Sequence, residues 1–154
     1  MAIGRTFKEA LQKAIRSLEQ DRWGLTLDRT LGDDELRHLL RVPNPDRIFA
    51  IGDAYRAGLG TTEIHGLTKI DPWFLENIRE IVEAEAEIAA HALDAGDVLR
   101  RAKQLGFADR RIAELAGTTE AEVRQRRLDC ALPTCRGLLS GKSGSCGTAR
   151  TLGP

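Results

Sequence analysis

One helical stripe with its own start signal governs the opening of this chain, and the same pattern recurs to about residue 129. From Thr6 to about Glu19, Phe7, Ala10, Leu11, Ala14, Ile15 and Leu18 recur at i, i+3, i+4, i+7, i+8 and i+11. That spacing lines one face of an α-helix with apolar side chains. Thr6 and Glu9 form a capping box, in which each side chain satisfies an orphan amide of the first turn. A chain built from such units folds by laying helix faces against one another.

The later segments follow the same rule. Asp33 to Arg41 predicts a short helix with Leu36, Leu39 and Leu40 inward, punctuated by Pro43. Asn44 as N-cap and Pro45 at the first helical position predict the next helix, which carries Ile48, Phe49, Ile51 and Tyr55 and stops at Gly58 or Gly60. Thr61 to Leu67 predicts one or two turns. Asp71-Pro72 starts the longest helix, to about Leu93, with Phe74, Ile78, Ile81, Val82, Ile88, Ala89 and Ala92 as its buried stripe. Asp97 to Leu105, Asp109 to Ala116 and Thr119 to Asp129 complete the series, with Gly96, Gly106 and Gly117 at the boundaries and a second capping box at Thr119 and Glu122. The only segment that could form a strand is Met1 to Ile3. The expected fold is all-α: an orthogonal bundle of seven to eight short helices and one long one, with that short strand remnant at the N-terminus.

Two segments depart from the pattern. Asp21 to Gly32 has no helical period, although it holds Leu25, Leu27 and Leu31. Cys130 to Pro154 is rich in Gly, Ser, Thr and Arg, has no acidic residue and shows no period, so it reads as a disordered tail. Three cysteines give no disulfide framework. Lys+Arg and Asp+Glu both count 23, so no net charge directs the chain to nucleic acid or an anionic membrane. No apolar run reaches the roughly 20 residues of a membrane span, and the first residues do not read as a signal peptide, so a cytoplasmic location is the expectation.

Candidate chemistry is sparse. His38, His65 and His91 fall on three separate elements without metal-ligand spacing and read as surface or capping histidines. Cys130, Cys135 and Cys146 lack a CxxC pair. Glu76, Glu80, Glu83 and Glu87 sit at helical spacing as a solvated face, whereas Glu85 falls near the apolar stripe and is expected to pair with an arginine from a neighbouring helix. Gly141-Lys142-Ser143 resembles the end of a phosphate-binding loop, but Arg136 stands where that loop needs glycine.

Phe107 to Arg127 also fits a helix-turn-helix, with Ala113, Gly117 and Val123 at the small, turn and β-branched positions. Arg124, Arg126 and Arg127 would then face DNA. The competing reading is a tight helical hairpin needing the same residue types for steric reasons. Glu120 and Glu122 at the start of the second helix favour the hairpin.

Four stretches together resemble one family, the carbamoyl-phosphate synthase large chain. They are Met1-Ala2-Ile3-Gly4-Arg5-Thr6-Phe7 running into Glu9 to Ala14; Asp46 to Ile51 with Ala57-Gly58-Leu59; Ile70-Asp71-Pro72-Trp73-Phe74-Leu75 with Ile78; and Gly106-Phe107-Ala108-Asp109 through Arg124. The resemblance covers about residues 1 to 129 and absorbs the helix-turn-helix pattern without DNA.

The resemblance implies that residues 1–20 close the first of two ATP-grasp halves, that 21–129 form the helical oligomerisation domain between the halves, and that 130–154 match nothing in the family. The break near Asp129 predicts a non-native tail, left by a disrupted reading frame or chain boundary. ATP, Mg or Mn and the catalytic residues belong to the flanking halves, so no catalytic, cofactor or metal residue is implied in this chain. The implied partners are a second copy of the chain, the flanking halves and the glutaminase small subunit. Leu25, Leu27 and Leu31 in the aperiodic segment are the expected self-association patch, since exposed apolar side chains seek partners. Burial of the three as a satellite core is the alternative.

Overall fold

The start signals at Thr6, Asp71 and Thr119 act as caps in the computed structural model, which describes residues 2–18, 20, 22–27, 29, 31–91, 96–130 and 132. Helix α1 (Phe7–Arg16) begins where the Thr6 hydroxyl accepts the Glu9 amide at 3.2 Å. The return half of that box is different from expectation. The Glu9 carboxylate takes the Arg5 amide at 2.8 Å and the Lys13 ammonium at 2.6 Å, not the Thr6 amide. Glu9 is only 4% exposed, so the ammonium and the backbone amide together offset the cost of its burial.

Among the described residues seven further helices follow: α2 (Asp33–Arg41), α3 (Arg47–Arg56), α4 (Thr61–Thr68), α5 (Pro72–His91), α6 (Gly96–Leu105), α7 (Asp109–Ala116) and α8 (Glu120–Asp129). The all-α expectation holds, with one long helix of 20 residues among seven shorter ones. Among the described residues there is no strand. Ala2 and Ile3, read as a strand remnant, have no neighbouring strand to satisfy their backbone; the Ile3 carbonyl accepts from Lys13 at 2.9 Å instead.

Asn44 is not the cap of α3. Its Nδ2 donates to the Leu39 and Val42 carbonyls at 3.0 and 2.6 Å, so it closes the end of α2, and Asp46 stands at the N-cap of α3. Pro45 therefore lies in the turn ahead of the helix. At Asp71 the expectation holds, with its Oδ1 accepting the Trp73 amide at 2.8 Å.

Helix α5 is the centre of the bundle. Helices α1, α3, α4, α6 and α7 pack on it, α2 rests on α3 and α4, and α8 on α6 and α7. Its buried line is Leu75, Ile78, Ile81, Ala84, Glu85 and Ile88. Phe74 and Ala89, expected inside, are exposed. Phe74 turns outward because Phe7 and Trp73 hold it edge-on, with ring centroids 5.3 and 5.0 Å away.

The body does not end at Asp129. Leu132 is 4% exposed, and its amide donates to the Arg127 carbonyl at 2.9 Å. Cys130 and Leu132 are thus part of the bundle, contrary to the tail boundary expected at 130. Residues 131 and 133–154, with Cys135, Cys146 and the Gly141-Lys142-Ser143 motif, lie outside the described residues.

Candidate functional site

The expected self-association patch lies in the aperiodic segment, and the structure divides its three leucines. Leu25 is 1% exposed and belongs to the core. The absence of a helical period does not mean exposure here. The Leu25 backbone presses on α3 at Gly52, where a Cβ would stand 2.3 Å from the Leu25 carbonyl oxygen. Arg56 Nη1 donates to that same oxygen at 2.6 Å, so the carbonyl is satisfied while the side chain turns inward. Leu25 is therefore removed from the expected exposed patch.

Leu27 and Leu31 stay half-buried. The Leu27 amide donates to Asp53 Oδ2 at 3.0 Å, fixing the segment against α3. Leu27, Leu31, Leu36 and Ala57 line a shallow groove of about 370 Å³, with Arg29, Asp33 and Asp53 among its polar residues. A cleft that mixes leucines with charged side chains has the make-up of a polar protein–protein interface. Asp53 and Arg56 carry no sequence mark of this role, since they tie down residues 26 and 31 positions upstream.

Glu85 meets its expected arginine and a second one. Arg111 of α7 places Nε and Nη2 on Oε1 at 3.1 and 2.9 Å, and Arg56 of α3 binds Oε2. The Glu85 side chain is 5% exposed. With both oxygens held by guanidinium groups, it fastens three helices. Beside it runs a larger groove of about 640 Å³, lined by Tyr55, Leu59, Val82, Ala86 and Leu115 together with Glu85 and its arginines. Burial raises the Tyr55 pKa above its ordinary value, and its hydroxyl donates to the Leu75 carbonyl at 3.1 Å.

The other candidates disperse. His38 and His91 are exposed, and His65 Nδ1 lies 2.7 Å from the Ile70 carbonyl. Among the described residues no group of three or more His, Cys, Asp or Glu side chains could hold a metal ion, and no helix is long and apolar enough to cross a membrane. In the helix-turn-helix lookalike, Gly117 caps α7 at φ 65° and Thr119 with Glu122 closes a full capping box on α8. Arg124 and Arg126 are exposed, but Arg127 is 5% exposed and donates to Asp109 Oδ2 at 3.3 Å. Arg127 therefore cannot face DNA: it serves the hairpin from inside, and Glu120 and Glu122 occupy the exposed first turn of α8.

Residues 1–131 match the family model described as carbamoyl-phosphate synthetase large chain, oligomerisation domain. The chain is 47% identical over 141 residues to the carbamoyl phosphate synthase large chain, N-terminal section, of Aquifex aeolicus, covering 90% of this chain and 25% of that protein. It is 46% identical over 136 residues to the carbamoyl phosphate synthase large chain of Archaeoglobus fulgidus, covering 82% of this chain and 13% of that protein. The Synechocystis large chain is 48% identical over 133 residues, covering 82% of this chain and 12% of that protein. The chain thus spans a quarter or less of the length of these relatives.

Proposed function

This chain belongs to the carbamoyl-phosphate synthetase large-chain oligomerisation domain family, and we propose that it is a helical scaffold that self-associates and carries no catalytic site of its own. The observation that carries the reading is the Leu27–Leu31 groove, a cleft of mixed apolar and charged lining on a segment that Asp53 and Arg56 hold in place. A surface meant for a partner gains when its shape is fixed before binding, because less ordering entropy is lost on association.

In this reading the chain is a piece of an ATP-dependent ligase that joins bicarbonate with ammonia from glutamine to give carbamoyl phosphate for arginine and pyrimidine synthesis in the cytoplasm. Residues 1–20 close the preceding ATP-grasp half and 21–129 form the spacer. The seat of α1 on α5 and α6 supports a firm union of the two. ATP and Mg or Mn act in the flanking halves, and the glutaminase small subunit supplies ammonia to the assembly.

Leu31→Glu tests the interface. A carboxylate in the groove is costly to desolvate, so the measured molar mass is expected to move toward the monomer. An unchanged mass removes Leu31 from the interface.

A further inference from the structure

We infer that the corner between α6 and α7, residues Lys103 to Asp109, is a joint that fixes the incoming helix α1 and the outgoing residue Leu132 relative to one another. The inference rests on the scaffold reading and deepens it. A spacer does its work only if what enters and what leaves it keep a set orientation.

From one side the corner is held by α1. Gln12 Nε2 donates to the Leu105 carbonyl at 3.2 Å, and Arg16 Nη1 to the Gly106 carbonyl at 3.4 Å. Gly106 has φ 99°, and a Cβ there would lie 2.9 Å from the Glu9 Cα, so the α1 backbone sits directly on the corner. Glu9 and Gln12 are buried at this contact.

From the other side the corner is held by charges. Lys103 Nζ donates to the Phe107 carbonyl at 2.8 Å and to Asp109 Oδ1 at 2.7 Å. Arg127 Nε donates to the other Asp109 oxygen at 3.3 Å, and its Nη1 to the Leu132 carbonyl at 3.3 Å. The side chains of Lys103, Asp109 and Arg127 are 8%, 16% and 6% exposed. Two nearly buried cations on one carboxylate add little net stability over apolar packing, but they are directional. Their direction is what sets Leu132, through Arg127, on the same corner that seats α1.

The test is the distance distribution between spin labels on the full 154-residue chain. Labels at Ile3→Cys and Leu128→Cys, both positions exposed, go into a background of Cys130→Ser, Cys135→Ser and Cys146→Ser. Excess unlabelled chain suppresses distances between copies. The unsubstituted corner is expected to give one narrow distribution. Asp109→Asn and, separately, Gln12→Ala are expected to broaden it about twofold while circular dichroism keeps the helical signal, as local opening does. Gln12→Ala removes no charge and keeps the test alive if Asp109→Asn fails to fold. Arg37→Met, which removes a surface pair with Glu63 away from the corner, is expected to leave the width unchanged. A distribution as narrow in both corner variants as in the parent overturns the joint, and so does equal broadening by Arg37→Met. The molar mass of the same samples reports self-association separately, so loss of one reading is distinguishable from loss of the other.

Discussion

Arg111 on α7 sets two guanidinium nitrogens on one oxygen of Glu85 on α5, at 3.1 and 2.9 Å, while Arg56 from α3 holds the other oxygen. One buried carboxylate thus fastens three helices. Among the described residues, removing Glu85 leaves Arg56 only Asp53, at 2.8 Å, and Arg111 only Glu114, at 3.4 Å, as counter-charges, and unties α5 from both. Glu85→Leu is therefore expected to cost about 2 kcal/mol of folding stability, the loss of charge-assisted hydrogen bonds, read by chemical denaturation. A loss within about 0.5 kcal/mol, as at an ordinary surface position, contradicts the arrangement.

The aperiodic segment reaches its place through Gly52. Gly52→Ala puts a methyl 2.3 Å from the Leu25 carbonyl oxygen, which is backbone and cannot swing aside. The expected loss is about 1–3 kcal/mol, and the displaced segment is expected to weaken self-association in the same sample. Equilibrium unfolding together with light scattering reads both effects.

How much of this was legible in the sequence depends on the range of each contact. Helices declared themselves through local signals: the i, i+3, i+4 stripe of α1, the Asp71 cap of α5 and the Thr119–Glu122 box of α8. Glu85 stood out because a charge on an apolar stripe needs a partner. The errors lie where distant residues decide. Leu25 looked exposed because no local period buries it, yet Gly52 and Arg56, far along the chain, draw it in. Asn44 had the right type and place for a cap, but the free carbonyls behind it at the end of α2 competed for its side chain. The helix-turn-helix alternative gave Arg127 to DNA because nothing local shows Asp109 waiting 18 residues upstream.

That last pairing separates the arginines of α8. Arg127→Ala leaves Asp109 and the Leu132 carbonyl short of a donor, and is expected to cost about 2 kcal/mol. Arg124→Ala, on the exposed face, is expected to stay within about 0.5 kcal/mol. Thermal unfolding of the two variants side by side decides whether Arg127 acts inside the fold.

Acid stability follows from Glu9. Burial alone would raise its pKa, but the Lys13 ammonium and the Arg5 amide outweigh burial and hold the carboxyl below its ordinary value of 4.5. The unfolded chain therefore binds the proton at higher pH than the folded one. The stability contributed by Glu9 is full above about pH 4.5 and is lost as pH falls through the lower folded value. Glu9→Gln is expected to flatten the melting-temperature profile in that acid window. An equally steep profile in the variant excludes Glu9 as its source.

Molar mass across a concentration series tests the central claim most directly. Light scattering on the unsubstituted chain is expected to give values that rise from 16.9 kDa toward a dimer or tetramer with concentration, with Leu31→Glu held nearer 16.9 kDa. A mass of 16.9 kDa at every concentration contradicts self-association through this chain and leaves it an intramolecular spacer.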